Sequence, residues 1–185
     1  CGLCAQICPK KCIELRQDKE GFYYPVVNQD QCIKCGRCVQ KCVQTMKNNQ
    51  TLTDAYIGYN SDESVRKDSS SGGIFNAIAS AFIDNGGVVF GAAFDDDYSV
   101  RHVRIENKEN LSRIMKSKYV QSDLKYIFDV LAEDLEKGRP VLFTGTPCQV
   151  VAVCQFADGL RLREKLYTID FICHGVPSPG VWKSY

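Results

Sequence analysis

The chain has 185 residues, enough for one small module and one ordinary domain. Its formal net charge of +1 leaves no electrostatic footprint for nucleic acid or an anionic membrane. Eleven cysteines would suit a secreted disulfide protein, but their spacing is that of free thiolate ligands, which persist in a reducing compartment and point to the cytoplasm.

Cys1, Cys4 and Cys8, followed by Pro9, match the last three positions of the run C-x2-C-x2-C-x3-C and the proline after it. On that alignment the first ligand of the run falls three residues before Cys1. Cys32, Cys35, Cys38 and Cys42 reproduce the whole run, the ligand spacing of bacterial ferredoxins with 4Fe-4S clusters. A tight loop with a thiolate every third residue wraps three corners of one cubane, and the fourth thiolate serves a second cluster. Crossing the fourth ligands assigns Cys32, Cys35, Cys38 and Cys8 to one cluster, and Cys1, Cys4 and Cys42 to the other. Cys12 stands where no ligand is expected; it is either a small buried thiol or the ligand that completes the second set. Zinc is the rival metal, but its motifs use separated cysteine pairs, whereas here three or four thiols crowd each run.

Between the runs, Ile13-Glu14-Leu15 and Gly21 to Val27 predict two short strands joined by a turn, with aromatics packed over the clusters. Met46 to Thr53 is polar and aperiodic and reads as a linker. Asp68 to Gly73 leads into a helix over Ile74 to Ile83; the serines are expected to supply N-cap oxygens, and the glycines to let a partner approach the backbone. The helix is apolar round most of its circumference and is expected to be buried, with N-terminal amides suited to a phosphate. A capped core helix is the plainer alternative. Asp84-Asn85-Gly86-Gly87 breaks the richest apolar stretch, Ile74 to Phe94, so it is no membrane span. Val88 to Phe94 then reads as a strand buried on both faces, and Asp95-Asp96-Asp97 as a solvated turn. Tyr98 to Ile105 is a second strand, Glu109 to Met115 a short helix, and Asp123 to Lys137 an amphipathic helix. Ser117-Lys118-Tyr119 is either an ordinary loop or a holder for a phosphate or a flavin edge.

Pro140 to Thr144 is a strand that turns at Gly145 into a helix with Thr146 as N-cap, Pro147 at its first position and Cys148 in the first turn. Leu166 to Cys173 is expected as the next strand, delivering Cys173-His174-Gly175 to the same sheet edge. Three readings stay open for Cys148 and Cys173: buried thiols, a Cys148/His174 nucleophile–base pair, or two ligands of another cluster.

Ser69-Ser70-Ser71-Gly72-Gly73-Ile74-Phe75, Ser117-Lys118-Tyr119-Val120-Gln121-Ser122, Gly145-Thr146-Pro147-Cys148-Gln149 and Cys173-His174-Gly175-Val176-Pro177-Ser178-Pro179 follow one another here. As a set they resemble the coenzyme F420 hydrogenase/dehydrogenase beta-subunit family, in a form with an N-terminal two-cluster ferredoxin module. The resemblance implies an α+β ferredoxin-like module at 1-46 and a linker at 47-60. An α/β region at 61-138 and the start of a C-terminal domain at 139-185 follow, the α/β part reading as truncated at its C-terminus. It implies an iron–sulfur flavoprotein oxidoreductase that holds FAD at Ser70, Ser71, Gly72 and Gly73 and at Ser117, Lys118 and Tyr119, with Thr146 and Pro147 nearby. Cys148 and Cys173 are implied as ligands of a further 4Fe-4S cluster. A ferredoxin or a redox partner subunit is the implied electron partner, and F420 a possible hydride partner. Val43 departs from the usual proline after the second run. The alternatives are a non-catalytic electron-transfer subunit and a Cys148/His174 transferase or hydrolase.

Overall fold

The computed structural model describes residues 1–46 and 54–185; most of the stretch expected as a linker, 47–53, lies outside them. The N-terminal module contains helix α1 (Leu3–Gln6), strands β1 (Ile13–Gln17) and β2 (Tyr23–Val27), and helix α2 (Arg37–Gln40). The two strands pair antiparallel, Ile13 opposite Val27, across a turn that Gly21 closes with φ +88°. After α3 (Glu63–Lys67) come α4 (Ile74–Asp84), β3 (Val88–Phe94), β4 (Val100–Ile105), α5 (Ile127–Glu136), β5 (Val141–Gly145), α6 (Pro147–Leu160), β6 (Leu166–Asp170) and α7 (Pro179–Ser184). Strands β3 to β6 form one sheet in the order β4-β3-β5-β6, with β4 antiparallel to β3 and the other pairs parallel.

Strand alternation sorts the sheet's side chains into two cores. Val88, Phe90, Val141 and Phe143 pack with Phe128, Leu131, Val153 and Phe156 of α5 and α6. Val89 and Leu142 pack on the other side with Ala79 of α4 and with Leu111 and Ile114. The module is tied to the first core through Leu3, 1% exposed, with Ile7 and Val43 packed against it. Gln6 and Lys41 add hydrogen bonds to Asp129 of α5 and Gln155 of α6. At the far end, the Gly180 N–H donates to the Glu20 carbonyl of the module's hairpin turn at 2.8 Å. A Cβ on Gly180 would meet that oxygen at 2.8 Å, so only glycine allows the contact.

Several expectations are corrected by tertiary contacts. Helix α4 buries only Ala79 fully, and Ile74 and Ile78 are 42% and 41% exposed, because a single face of the helix rests on the sheet. Its N-cap is Gly73 at φ +75°, with no side-chain cap, and Ser69 donates its hydroxyl to the Val65 carbonyl instead. The element that approaches the glycines is the chain itself: a Cβ on Gly72 would stand 3.1 Å from the Gly58 carbonyl oxygen, and one on Gly73 3.1 Å from Asn60 Cβ. Helix α5 starts at Ile127 rather than Asp123, since Asp123 is drawn into a parallel bridge with Arg101 of β4. The segment expected as a helix over Glu109 to Met115 is a 3-10 turn, Lys108–Arg113. Strand β6 ends at Asp170, opposite Gly145, because its partner β5 turns into α6 there. In the module, Tyr23 and Tyr24 are 43% and 56% exposed rather than packed away.

Asp134 of α5, 3% exposed, binds Arg104 of β4 through two hydrogen bonds of 2.6 and 3.0 Å. Asp134→Ala leaves that guanidinium without its main partner, and a fall in folding stability of about 2 kcal/mol is expected in urea denaturation. This lies below the usual cost of breaking a buried pair, because Arg104 keeps some access to water.

Candidate functional site

Cys8, at the end of the first cysteine run, and Cys32, Cys35 and Cys38 of the second line one cavity of about 200 Å³. That is several times the roughly 30 Å³ occupied by one liquid water, room for a polyatomic group rather than a single ion. Local backbone geometry makes the loop: Lys34 and Gly36 adopt φ values of +54° and +72°, and Gly36 caps α2. Cys12 lines the same cavity, and its Sγ lies 3.4 Å from that of Cys8. Burial pushes the Cys8 thiol up, but hydrogen bonds from the Cys12 amide and thiol and from the Lys10 and Lys11 amides outweigh it, and the net shift is downward. Cys12 is pushed up to about 11, first by its hydrogen bond to Cys8 and then by burial.

Cys4 packs with Cys8, Cys12, Ile13, Cys32 and Cys38 in the module's own small core, whereas Val43, next to Cys42, packs against the core of the α/β domain. Burial raises the Cys4 thiol, and the neighbouring Cys42 and Cys38 add to the rise. Cys1 lines a second, smaller cavity of about 30 Å³ together with Gly2, Tyr23 and Gln121 to Lys125. Cys12 lines the first cavity and not this one, which sets it apart from Cys1.

Three α/β motifs, far apart in sequence, are joined by hydrogen bonds, and Gln121 and Ser122 at the end of one of them line this second cavity. Ser70 Oγ accepts the Ser117 N–H at 3.0 Å, joining the serine–glycine turn to the Ser-Lys-Tyr loop. The far end of that loop is joined to the Thr-Pro-Cys turn, where Gln149 donates to the Ser122 carbonyl at 3.4 Å and accepts the Thr146 N–H at 3.0 Å. Among the described residues, buried Gln121 Oε1 has no hydrogen-bond partner. Ser71, Gly72 and Gly73 complete the turn before α4, and Pro147 opens α6. Lys118 is directed inward: its ammonium donates to the carbonyls of Arg113, Met115 and Lys116, and burial lowers it to about 8. Tyr119 is 75% exposed.

His102 has no counterpart among the residues expected from the sequence. It is buried in β4, stacked on Phe143, with Nε2 2.9 Å from the Thr144 carbonyl and Nδ1 2.7 Å from Ser122 Oγ. A carbonyl only accepts, so Nε2 carries the proton and Nδ1 accepts from the serine hydroxyl. The available signal was its two-residue spacing from Val100, which puts both on the inward face of the strand. Burial lowers His102 to about 4, against the opposing pull of the Thr144 carbonyl. The unfolded chain takes up this proton near pH 6.5 and the folded chain only near pH 4. Stability from the neutral imidazole is thus complete above pH ~6.5 and falls by about 3 kcal/mol as the pH drops to ~4. Denaturation midpoints should follow that slope, and His102→Gln should flatten it.

Cys148 is exposed in the first turn of α6, with Thr146 Oγ1 3.2 Å from its Sγ. Cys173 is also exposed, three residues beyond the end of β6. Because β5 and β6 are parallel neighbours, both cysteines leave the sheet at the same edge. Among the described residues His174 makes no hydrogen bond to Cys148.

These features define a cysteine-rich module joined to a mixed-sheet α/β domain. Residues 1–46 match the 4Fe-4S dicluster domain, residues 55–128 the coenzyme F420 hydrogenase/dehydrogenase beta-subunit N-terminal domain, and residues 138–185 the C-terminal domain of the same subunit. The chain belongs to the coenzyme F420 hydrogenase/dehydrogenase beta-subunit family. A solved structure of the F420-reducing [NiFe] hydrogenase complex from Methanosarcina barkeri shares the fold at a TM-score of 0.52 and 19% identity. The match covers 66% of this chain and 47% of that one, so this chain spans about half the length of its structural relative. No curated protein sequence matches. Among the described residues, no helix is long and apolar enough to cross a membrane.

Proposed function

We propose that the protein is an electron-relay subunit of an oxidoreductase, moving single electrons between two 4Fe-4S clusters and a flavin. Cys8, Cys32, Cys35 and Cys38 hold the outer cluster, and Cys1, Cys4 and Cys42 contribute to the inner one. The donor set and the size of the first cavity fit a cubane bound by thiolates. Clusters carry one electron at a time, and a flavin joins such electrons in pairs to a hydride. The observation that carries the relay is the second cavity, where Cys1 lies against Gln121 and Ser122 of the loop read as the flavin's holder.

The protein's own residues do the positioning. Ser70, Ser71, Gly72 and Gly73 present the amides of the α4 turn, free of any side-chain cap, to an anionic group such as the pyrophosphate of FAD. Gln121 Oε1 supplies an unpartnered acceptor, which suits a donor on the bound cofactor. Ser117 and Tyr119 lie on the same loop, and Lys118 serves by holding that loop closed through its three carbonyl contacts. Thr146 and Pro147 fix the turn that carries Cys148, which with Cys173 is assigned to a further cluster. His102 locks Ser122 to the end of β5, keeping the loop and the turn in register. Deazaflavin F420 is the hydride partner suggested by the family's name, and a reducing, cytoplasmic compartment suits the free thiolates.

The test is an iron, sulfide and flavin assay on anaerobically purified full-length protein. Bound FAD together with cluster iron is the expected result. Cluster iron without flavin would establish a non-catalytic carrier, and the absence of iron would overturn the relay altogether.

A further inference from the structure

The geometry points to the outer rim of the Cys8/Cys32–Cys38 cavity as the docking surface for a small acidic protein that carries one electron at a time. This rests on the reading of that cavity as a cluster site. The module is fixed to the α/β core through Leu3, Ile7 and Val43, none of which lines the first cavity. The first cavity lies at the loop from Cys32 to Val39, where Cys35 is exposed and Ile33 and Val39 are 56% and 62% exposed. Two large apolar side chains beside an exposed thiol make an apolar centre that has no cover among the described residues.

The charges around this centre are of one sign. Lys10, Lys34 and Arg37 line the cavity and are exposed. No aspartate or glutamate is among the residues that line it, the nearest in the chain being Glu14 beside Ile13 and Asp30 before Cys32. The chain as a whole is nearly neutral at +1, so the concentration of cations here is a local feature. The module's carboxylates, Glu14, Asp18, Glu20 and Asp30, lie on the hairpin and in the turn before Cys32. A cationic ring round an apolar centre is complementary to an acidic partner: the ring steers and orients the encounter, and the apolar contact excludes water where the redox groups approach. In each encounter one electron leaves the reduced carrier and is taken up at the cluster held by Cys8, Cys32, Cys35 and Cys38; no bond forms or breaks and no proton is needed.

The experiment follows cluster bleaching in the iron-loaded full-length protein after stopped-flow mixing with a reduced, acidic two-cluster ferredoxin. The second-order rate should fall roughly tenfold or more between ~20 mM and ~0.5 M salt, as expected for screened steering. Lys34→Glu/Arg37→Glu should be slower by roughly tenfold at low salt and should lose most of the salt dependence, with iron content unchanged. If that variant fails to take up iron, Lys34→Gln/Arg37→Gln should show a smaller loss in the same direction. A variant that keeps its iron and reacts as the native protein does, a native rate indifferent to salt, or faster exchange with a basic cytochrome would each overturn the docking assignment. Native protein without iron would instead overturn the cluster reading beneath it.

Discussion

Cys8→Ala is expected to cost the protein one entire cluster, whereas Cys12→Ala, four residues away, should cost none. Both thiols are buried, both line the 200 Å³ cavity, and their sulfurs lie 3.4 Å apart. What separates them is position in the ligand run: Cys8 matches its fourth cysteine, whereas Cys12 lies outside it. Cys8 is lowered by the Cys12 thiol and by three backbone amides, the environment of a thiolate, whereas Cys12 is raised to about 11, the environment of a thiol that keeps its proton. Cys8 also brings in the fourth corner from the other cysteine run, so its loss leaves three thiolates for a site that needs four. Iron and sulfide content after anaerobic reconstitution should fall by about a third in Cys8→Ala, one cluster of three, and stay level in Cys12→Ala. Iron loss in Cys12→Ala equal to that in Cys8→Ala would make Cys12 a ligand and sink the assignment.

Leu3→Ala should lower folding stability by about 3 kcal/mol and loosen the joint between module and domain. Leu3 lies between Cys1 and Cys4, yet it is 1% exposed in the same core as Phe128, Leu131 and Val153. Truncating it removes apolar packing and leaves a cavity where helix α1 of the module enters the domain's core. The cysteine ligands themselves are untouched, so iron content should hold while the denaturation midpoint falls. Electron passage from the module to the flavin should slow as Cys1 loses its fixed place against Gln121 and Ser122. Unchanged stability would mean that the module is held chiefly by polar contacts such as Lys41–Gln155 and Gly180–Glu20.

How much of this could be read in advance depended on the range of the interactions. The cysteine spacing, the hairpin between the runs, the buried strand Val88 to Phe94 and the turn at Thr146-Pro147 are set within a few residues, by turn chemistry and alternation, and all were legible. Helix α4 was misjudged for the opposite reason. Composition shows that Ile74 and Ile78 are apolar, but only the packing of the sheet decides which face of the helix is covered. Asp123 likewise left its expected helix because β4 offered its backbone a partner.

The sequence by itself determined the thiol chemistry, the local elements and the family, because ligand spacing and capping residues act through neighbours along the chain. Only the tertiary structure decided which thiols share a cavity, that Lys118 turns inward and that His102 joins Ser122 to Thr144. It also put Cys1 against the Gln121–Lys125 segment, some 120 residues away in the chain, a contact held by Leu3 entering another domain's core. Those arrangements follow from burying apolar side chains between distant segments, and no local pattern encodes which segments will meet.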